Sequence, residues 1–237
     1  MGERAIERRG KRLMKTGTLA SGLSRLAALG AAAGVLLIAG SGCQAIGVMA
    51  ANAYRSGTHE VKAKYRGLED KTFAVVVSAD RSIQSDFPDL VITLTREIAR
   101  RLAEEAGASG IYPADEVLAY QFRYPNWVVK TPEELAEEFG VQRLVLIDVA
   151  EYRLSDPGNP YIWAGTAIGT VSVTEADGST PSLFSFRESV RVGFPDETGV
   201  SPLEVPRETV RIALTSRFVQ RASWLFFDHE EGNVMDY

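Results

Sequence analysis

The chain has 237 residues, 45% of them hydrophobic and one a cysteine, with 26 basic against 31 acidic side chains for a net charge of −5. This composition excludes collagen-like, disulfide-stapled and disordered classes, and the length suits one well-buried domain or at most two small ones. With no excess of positive charge to release phosphate counterions, no nucleic-acid partner is expected.

The charge is unevenly placed. Residues 1–42 hold seven basic groups (Arg4, Arg8, Arg9, Lys11, Arg12, Lys15, Arg25) and two acidic ones (Glu3, Glu7), so the remainder of the chain carries −10. Leu26 to Ala39 is uncharged and made of small and apolar residues, and Gly40-Ser41-Gly42-Cys43 follows it. A positive region, a short apolar region and small residues before a cleavage point are the parts of a secretory signal. The apolar stretch is shorter than the roughly 20 residues of a membrane span. Signals usually run about 15–30 residues, so Met14 is expected to be the natural start, or residues 1–13 to be dispensable for export. Arg8-Arg9 suggests a twin-arginine signal only weakly, because ERRGKRLM lacks the rest of that pattern.

Ala39 to Cys43 resembles the lipobox of bacterial lipoproteins, with Gly40 where that motif usually carries leucine. The resemblance implies a diacylglycerol thioether and an acyl chain such as palmitate on Cys43, each buried CH₂ contributing about 0.8 kcal/mol to anchoring. Gln44 in place of aspartate after the cysteine implies sorting to the outer membrane, with the domain facing the periplasm. The plainer alternative is an uncleaved amino-terminal anchor or a free thiol. The expected organisation is a signal peptide over 1–42, lipidated cysteine and tether over 43–70, and an α/β domain over 71–237.

Thr72 to Ala79 (TFAVVVSA) reads as a strand buried on both faces, preceded by His59 to Leu68 as an edge strand or a cover over the domain. Ser85 and Asp86 are expected to cap a helix with Pro88 in its first turn and Leu90, Ile92, Leu94, Ile98 and Leu102 on a broad apolar face; Gly107 stops it. Ile111 to Pro113 suits a short strand and Ala114 to Gln121 a further helical turn or two. Thr131-Pro132-Glu133-Glu134 is a capping box opening a helix that Gly140 ends, and Gln142 to Leu154 is a strong strand. Ile162 to Thr174 and Leu183 to Phe194 alternate with period two, joined by an Ala176-Asp177-Gly178-Ser179 turn. A last helix opens at Pro206 with Val210, Leu214, Phe218 and Leu225 on one stripe. The order β-α-β-α-β-β-β-α implies an α/β fold with a single mixed sheet and helices packed on it.

The segment ELAEEFGVQRLVLIDVAEYRL at Glu134 to Leu154, followed by long hairpin strands and a terminal helix, resembles the periplasmic lipoproteins related to CsgG, LpoB and the amino-terminal domain of TolB. The resemblance implies a small α/β domain that binds other envelope proteins and shares no catalytic residues. The loop Ser155 to Tyr161 and the Asp-Gly turn are too short for an added membrane hairpin, so an accessory or scaffold role is expected rather than a secretion channel.

Two histidines, and one cysteine assigned to lipid, leave little for metal or nucleophilic catalysis, and no cofactor or metal site is expected. Asp228-His229-Glu230-Glu231 reads as a solvated acidic tail, because consecutive residues cannot all face one ion without an unusual loop. Asp148, mid-strand among aliphatics, is expected to be partly buried with a raised pKa and to serve in a structural pair. The segment after the first buried strand, with Asp80, Arg81 and Ser82, is where a small ligand would sit if one binds, although no glycine-rich phosphate loop is present and a solvated loop is the plainer reading. Tyr124, Trp127, Tyr161 and Trp163 lie beside prolines and suit either core cover or exposed partner anchors. The expected function is a non-enzymatic, membrane-anchored module that binds an envelope protein or its own copies. The alternative is a small-ligand-binding or enzymatic domain using the loop after the first strand.

Overall fold

The computed structural model describes residues 57–178 and 183–232; the signal, Met14, Cys43 and part of the turn after Gly178 lie outside them. In chain order the elements are β1 (Thr58–Val61), β2 (Thr72–Ala79), α1 (Arg81–Asp86), α2 (Leu90–Glu105), β3 (Gly110–Ile111), α3 (Ala114–Arg123), a 3₁₀ turn (Pro125–Val129), α4 (Pro132–Phe139), β4 (Arg143–Ser155), β5 (Trp163–Glu175), β6 (Phe184–Phe194), α5 (Arg207–Ser223) and β7 (His229–Gly232). Five strands form one mixed sheet in the order β3-β2-β4-β5-β6, parallel among the first three and antiparallel beyond β4. The α/β architecture with helices on a mixed sheet is as the pattern of elements predicts.

Both faces of β2 are buried because helices cover both. On one face Phe73, Val75, Val77, Ile147, Val171 and Val190 pack beneath α2 and α5. On the other, Ala74, Val76 and Leu144 pack beneath Val117 of α3 and Leu135, Ala136 and Phe139 of α4. The second cover stops short of β6, whose outer residues Ser185, Arg187, Ser189 and Arg191 are exposed. Antiparallel strands tolerate one wet face, and their period-two alternation of apolar and polar residues matches it. The α4 start is the capping box read from the sequence: Glu134 N donates to Thr131 Oγ1 at 3.2 Å and Thr131 N to Glu134 Oε2 at 2.7 Å. Gly140 ends the helix at φ 62°, a conformation that costs a residue without Cβ nothing.

Four local expectations are corrected. Ser85 and Asp86 do not cap the long helix; they belong to α1, and α2 begins at Leu90 with Asp89 as its N-cap. Ile83 and Phe87 are the cause, since both are buried and draw a separate helical turn onto the core. Asp148 is exposed, because its strand face lies beyond the cover of α3 and α4, and it accepts a hydrogen bond from Ser78 Oγ at 2.8 Å. The folded unit begins at Gly57 rather than near residue 71. Leu68 is fully buried and Tyr65 N donates to Leu225 O at 2.9 Å, so the expected tether is in part domain.

The fourth correction concerns the acidic tail. His229–Gly232 pairs antiparallel with Thr58–Val61 as a two-stranded ribbon outside the main sheet. Stacking of His229 on Trp224, with ring centroids 4.2 Å apart, and the Asp228 carboxylate hold it there. That carboxylate accepts from Ala63 N at 2.9 Å and Lys62 Nζ at 3.0 Å, and from Arg66 as well. The Ala63 amide first, then the Lys62 ammonium, hold its pKa down at about 2. A folded value below the usual aspartate range near ~3.9 means that its contribution to docking the ribbon is complete above about pH 4 and lost as pH falls through about 2. The Ala63 amide resonance should therefore titrate with a midpoint near 2; a midpoint near the ordinary aspartate value would contradict the contact.

Candidate partner-binding site

α3 is anchored by the face that carries Val117, and at its first turn by an ion pair of Asp115 with Arg96 of α2 at 2.7 Å. Val117 is fully buried against the sheet, Gln121 Nε2 donates to Val77 O at 3.1 Å near the carboxyl end of β2, and Tyr120 meets Phe139 edge-on at 5.1 Å. Phe122 lies five residues beyond Val117, about 140° around a helix of 3.6 residues per turn, and so points away from the sheet. Pro125 then turns the chain into a 3₁₀ segment whose Trp127 packs against the second core while its neighbours do not. Phe122 is 90% exposed, Val129 81%, Val128 66% and Tyr124 45%. Lone exposed apolar residues are ordinary, but four within eight positions concentrate apolar surface of the kind that marks interaction surfaces.

The base of this hook is held by polar contacts. Lys130 Nζ donates to Tyr120 OH at 2.7 Å and Glu138 Oε2 at 2.9 Å, and it lies 5.4 Å from the centre of the Tyr120 ring. Glu138 and then Tyr120 raise the lysine pKa, and the ammonium lowers that of Glu138. Tyr120 also packs on Tyr124, with ring centroids 5.0 Å apart.

Two further exposed residues are Tyr161, 79% exposed in the β4–β5 connection, and Leu203, 98% exposed in the β6–α5 connection. Trp163 joins the two connections. Its indole Nε1 donates to Val205 O at 2.7 Å and its backbone N to Val200 O at 2.8 Å, tying the 200–205 segment to the start of β5. Trp163 itself is buried and therefore takes the core-cover reading, as Trp127 does in part. Tyr124 and Tyr161 remain on the surface as candidate anchors. Phe122, Val128, Val129 and Leu203 were not legible as site residues. An apolar run around a proline with no strand to join, FRYPNWVV, is the signal that could have found the first three.

Asp80, Arg81 and Ser82 are all exposed, at and just within the start of α1, and no hydrogen bond or ion pair joins Asp80 or Arg81 to Asp148. Ile83, the next residue, points into the core and turns the expected solvated loop into a short helix. Cys43 lies outside the described residues. No three His, Cys, Asp or Glu side chains gather as a metal site among the described residues.

No protein-family model and no curated protein sequence matches the chain. Solved structures do. PelC from Paraburkholderia phytofirmans, solved as a dodecamer, is 14% identical over 72% of this chain and 97% of its own, with a TM-score of 0.40. The lipoprotein GNA1162 from Neisseria meningitidis is 16% identical over 63% of this chain and 96% of its own, with a TM-score of 0.41. The LpoB C-terminal domain from Salmonella enterica is 9% identical over 52% of this chain and 83% of its own, with a TM-score of 0.34.

Proposed function

We propose that this protein is an outer-membrane lipoprotein, held by lipid on Cys43, whose periplasmic domain is a non-enzymatic module binding another envelope protein or further copies of itself, in the manner of the lipoproteins related to CsgG, LpoB and TolB. The observation that carries the reading is the hook of Phe122, Tyr124, Val128 and Val129, apolar, exposed and rigidly based. The basic, apolar and small-residue segments ahead of Cys43 support export and anchoring. Aromatic anchors beside a fixed turn bind at low entropic cost, because little remains to be ordered on association.

The test replaces Phe122 and Val129 together by aspartate in the full chain, expressed in bacteria and extracted from membranes in mild detergent. Hot-spot residues contribute about 2 kcal/mol or more each, so the pair should weaken recovery of the native complex by more than about tenfold. Both side chains are exposed, so the thermal midpoint should not move. An unchanged complex mass by light scattering, with the variant still folded, would contradict the reading.

A further inference from the structure

β6 is the outermost strand of the main sheet, paired with β5 on one side and with no described strand on the other. Its 11 residues present an edge of about 37 Å at ~3.4 Å per residue. Edges of that length are usually blunted by charge, bulge or cover. Two points of this one are: Arg217 donates to Gly193 O at 2.8 Å, and Lys64 Nζ pairs with Glu188 Oε1 at 2.6 Å. Between those points, beside Ser189 to Arg191, the surface falls into a cleft of about 370 Å³ lined by Arg221 of α5, by Trp224 just after it, by Lys62, and by the ion-paired Glu188 and Glu231 beside His229.

The two faces of β6 differ chemically. Val190 and Val192 are buried toward α5, whereas Arg187, Ser189 and Arg191 project on the open face. Arg187 lies over the Phe184 ring at 5.7 Å, and neither Arg187 nor Arg191 has a carboxylate partner among the described residues, although most other arginines of the domain are paired. An acidic chain thus keeps two unpaired cations four residues apart along an open strand edge.

We propose that an extended acidic segment of a partner protein adds to β6 as a sixth strand, with carboxylates opposite Arg187 and Arg191 and alternate apolar side chains lying in the cleft against Val190 and Trp224. The period-two alternation of strands dictates the pattern, acidic-apolar-polar-apolar-acidic, with the central polar residue opposite Ser189. A second copy of β6 does not fit. Full antiparallel overlap of two such strands centres on Ser189 and sets Arg187 against Arg191 twice, and like charges directly opposite are destabilising.

The test uses the full chain in detergent micelles and a peptide labelled with fluorescein at its amino terminus, Thr-Glu-Val-Thr-Val-Glu-Thr-amide, with a control carrying lysine at both glutamate positions. The acidic peptide should bind, lose affinity as salt rises, and slow hydrogen exchange of β6 amides between residues 187 and 193. The Arg187→Glu, Arg191→Glu double variant should weaken it at least tenfold, and the Phe122→Asp, Val129→Asp pair should leave it unchanged. That last arm separates this site from the hook, so either can fail alone. Equal binding of the lysine peptide, no binding at millimolar concentration, or exchange protection elsewhere than β6 would overturn the proposal, and the exchange footprint on the unmodified chain decides without any variant.

Discussion

Truncating Phe218 to alanine should destabilise the domain by about 3–5 kcal/mol, the range for a fully buried phenylalanine. At roughly 2–4 °C per kcal/mol for a domain of this size, the thermal midpoint should fall by about 6–20 °C. The ring comes from α5, is buried, and rests where β5 has Gly169 instead of a side chain. A Cβ at residue 169 would lie 2.8 Å from the Phe218 ring and 2.9 Å from Asp148 O, closer than a Cβ approaches either atom. Gly169→Ala should therefore cost about 1–3 kcal/mol by overpacking. Combined with Phe218→Ala it should not return to the single-variant level, because the contact with the Asp148 carbonyl persists when the ring is gone. Full rescue in the double variant would show that the ring alone explains the glycine.

The second large effect is expected at Arg143, the one buried arginine among the described residues. Its Nε donates to Gly67 O at 2.9 Å and its Nη1 to Gln142 O at 2.8 Å, while Asp177 takes an ion pair and Glu175 lies 3.8 Å away. Lys71, and then Arg143, hold the Asp177 carboxyl below its usual pKa. Tyr65 OH donates to Glu175 at 2.8 Å, so one network joins the segment before β2 to the start of β4 and the end of β5. Arg143→Met fills much of the volume and leaves these acceptors behind, at a cost of about 3 kcal/mol, near the lower end for a broken buried pair because Asp177 is partly wet. Arg143→Lys restores the charge without the planar fork and should recover only part of the loss. A denaturant midpoint unchanged by Arg143→Met would remove this network from the account of stability.

Much of the fold was legible because its signals are local. The β-branched run Thr72 to Ala79, the capping box at Thr131 and the alternation in β5 and β6 each state an element and its buried face within a few residues. What was not legible depends on contacts distant in the chain. The ribbon pairs residues 58–61 with 229–232, and nothing in HEVKAKYRGL or DHEEG announces the other. The exposure of Asp148 depends on how far α3 and α4 reach across the sheet, which no neighbouring residue encodes.

The site divides in the same way. Tyr124 and Tyr161 could be named from their prolines, yet the same rule selected Trp163, which a hydrogen bond to Val205 O draws into the core. Phe122 lies just past the helix expected over Ala114 to Gln121, and its isolation follows only from which face of α3 packs on the sheet. Arg187 and Arg191 gain meaning from the absence of a described strand beyond β6, a property of the assembled sheet.

The most direct measurement of the central claim is site-specific photo-crosslinking from position 122 in intact cells, with the same probe at Ile212, an exposed residue of α5, as control. A discrete protein adduct from position 122 and none from position 212 is the expected result, whether the adduct is a second protein or another copy of the chain. Adducts of equal yield from both positions, or none from position 122 in cells where the protein is membrane-anchored, would contradict a partner-binding role for the hook.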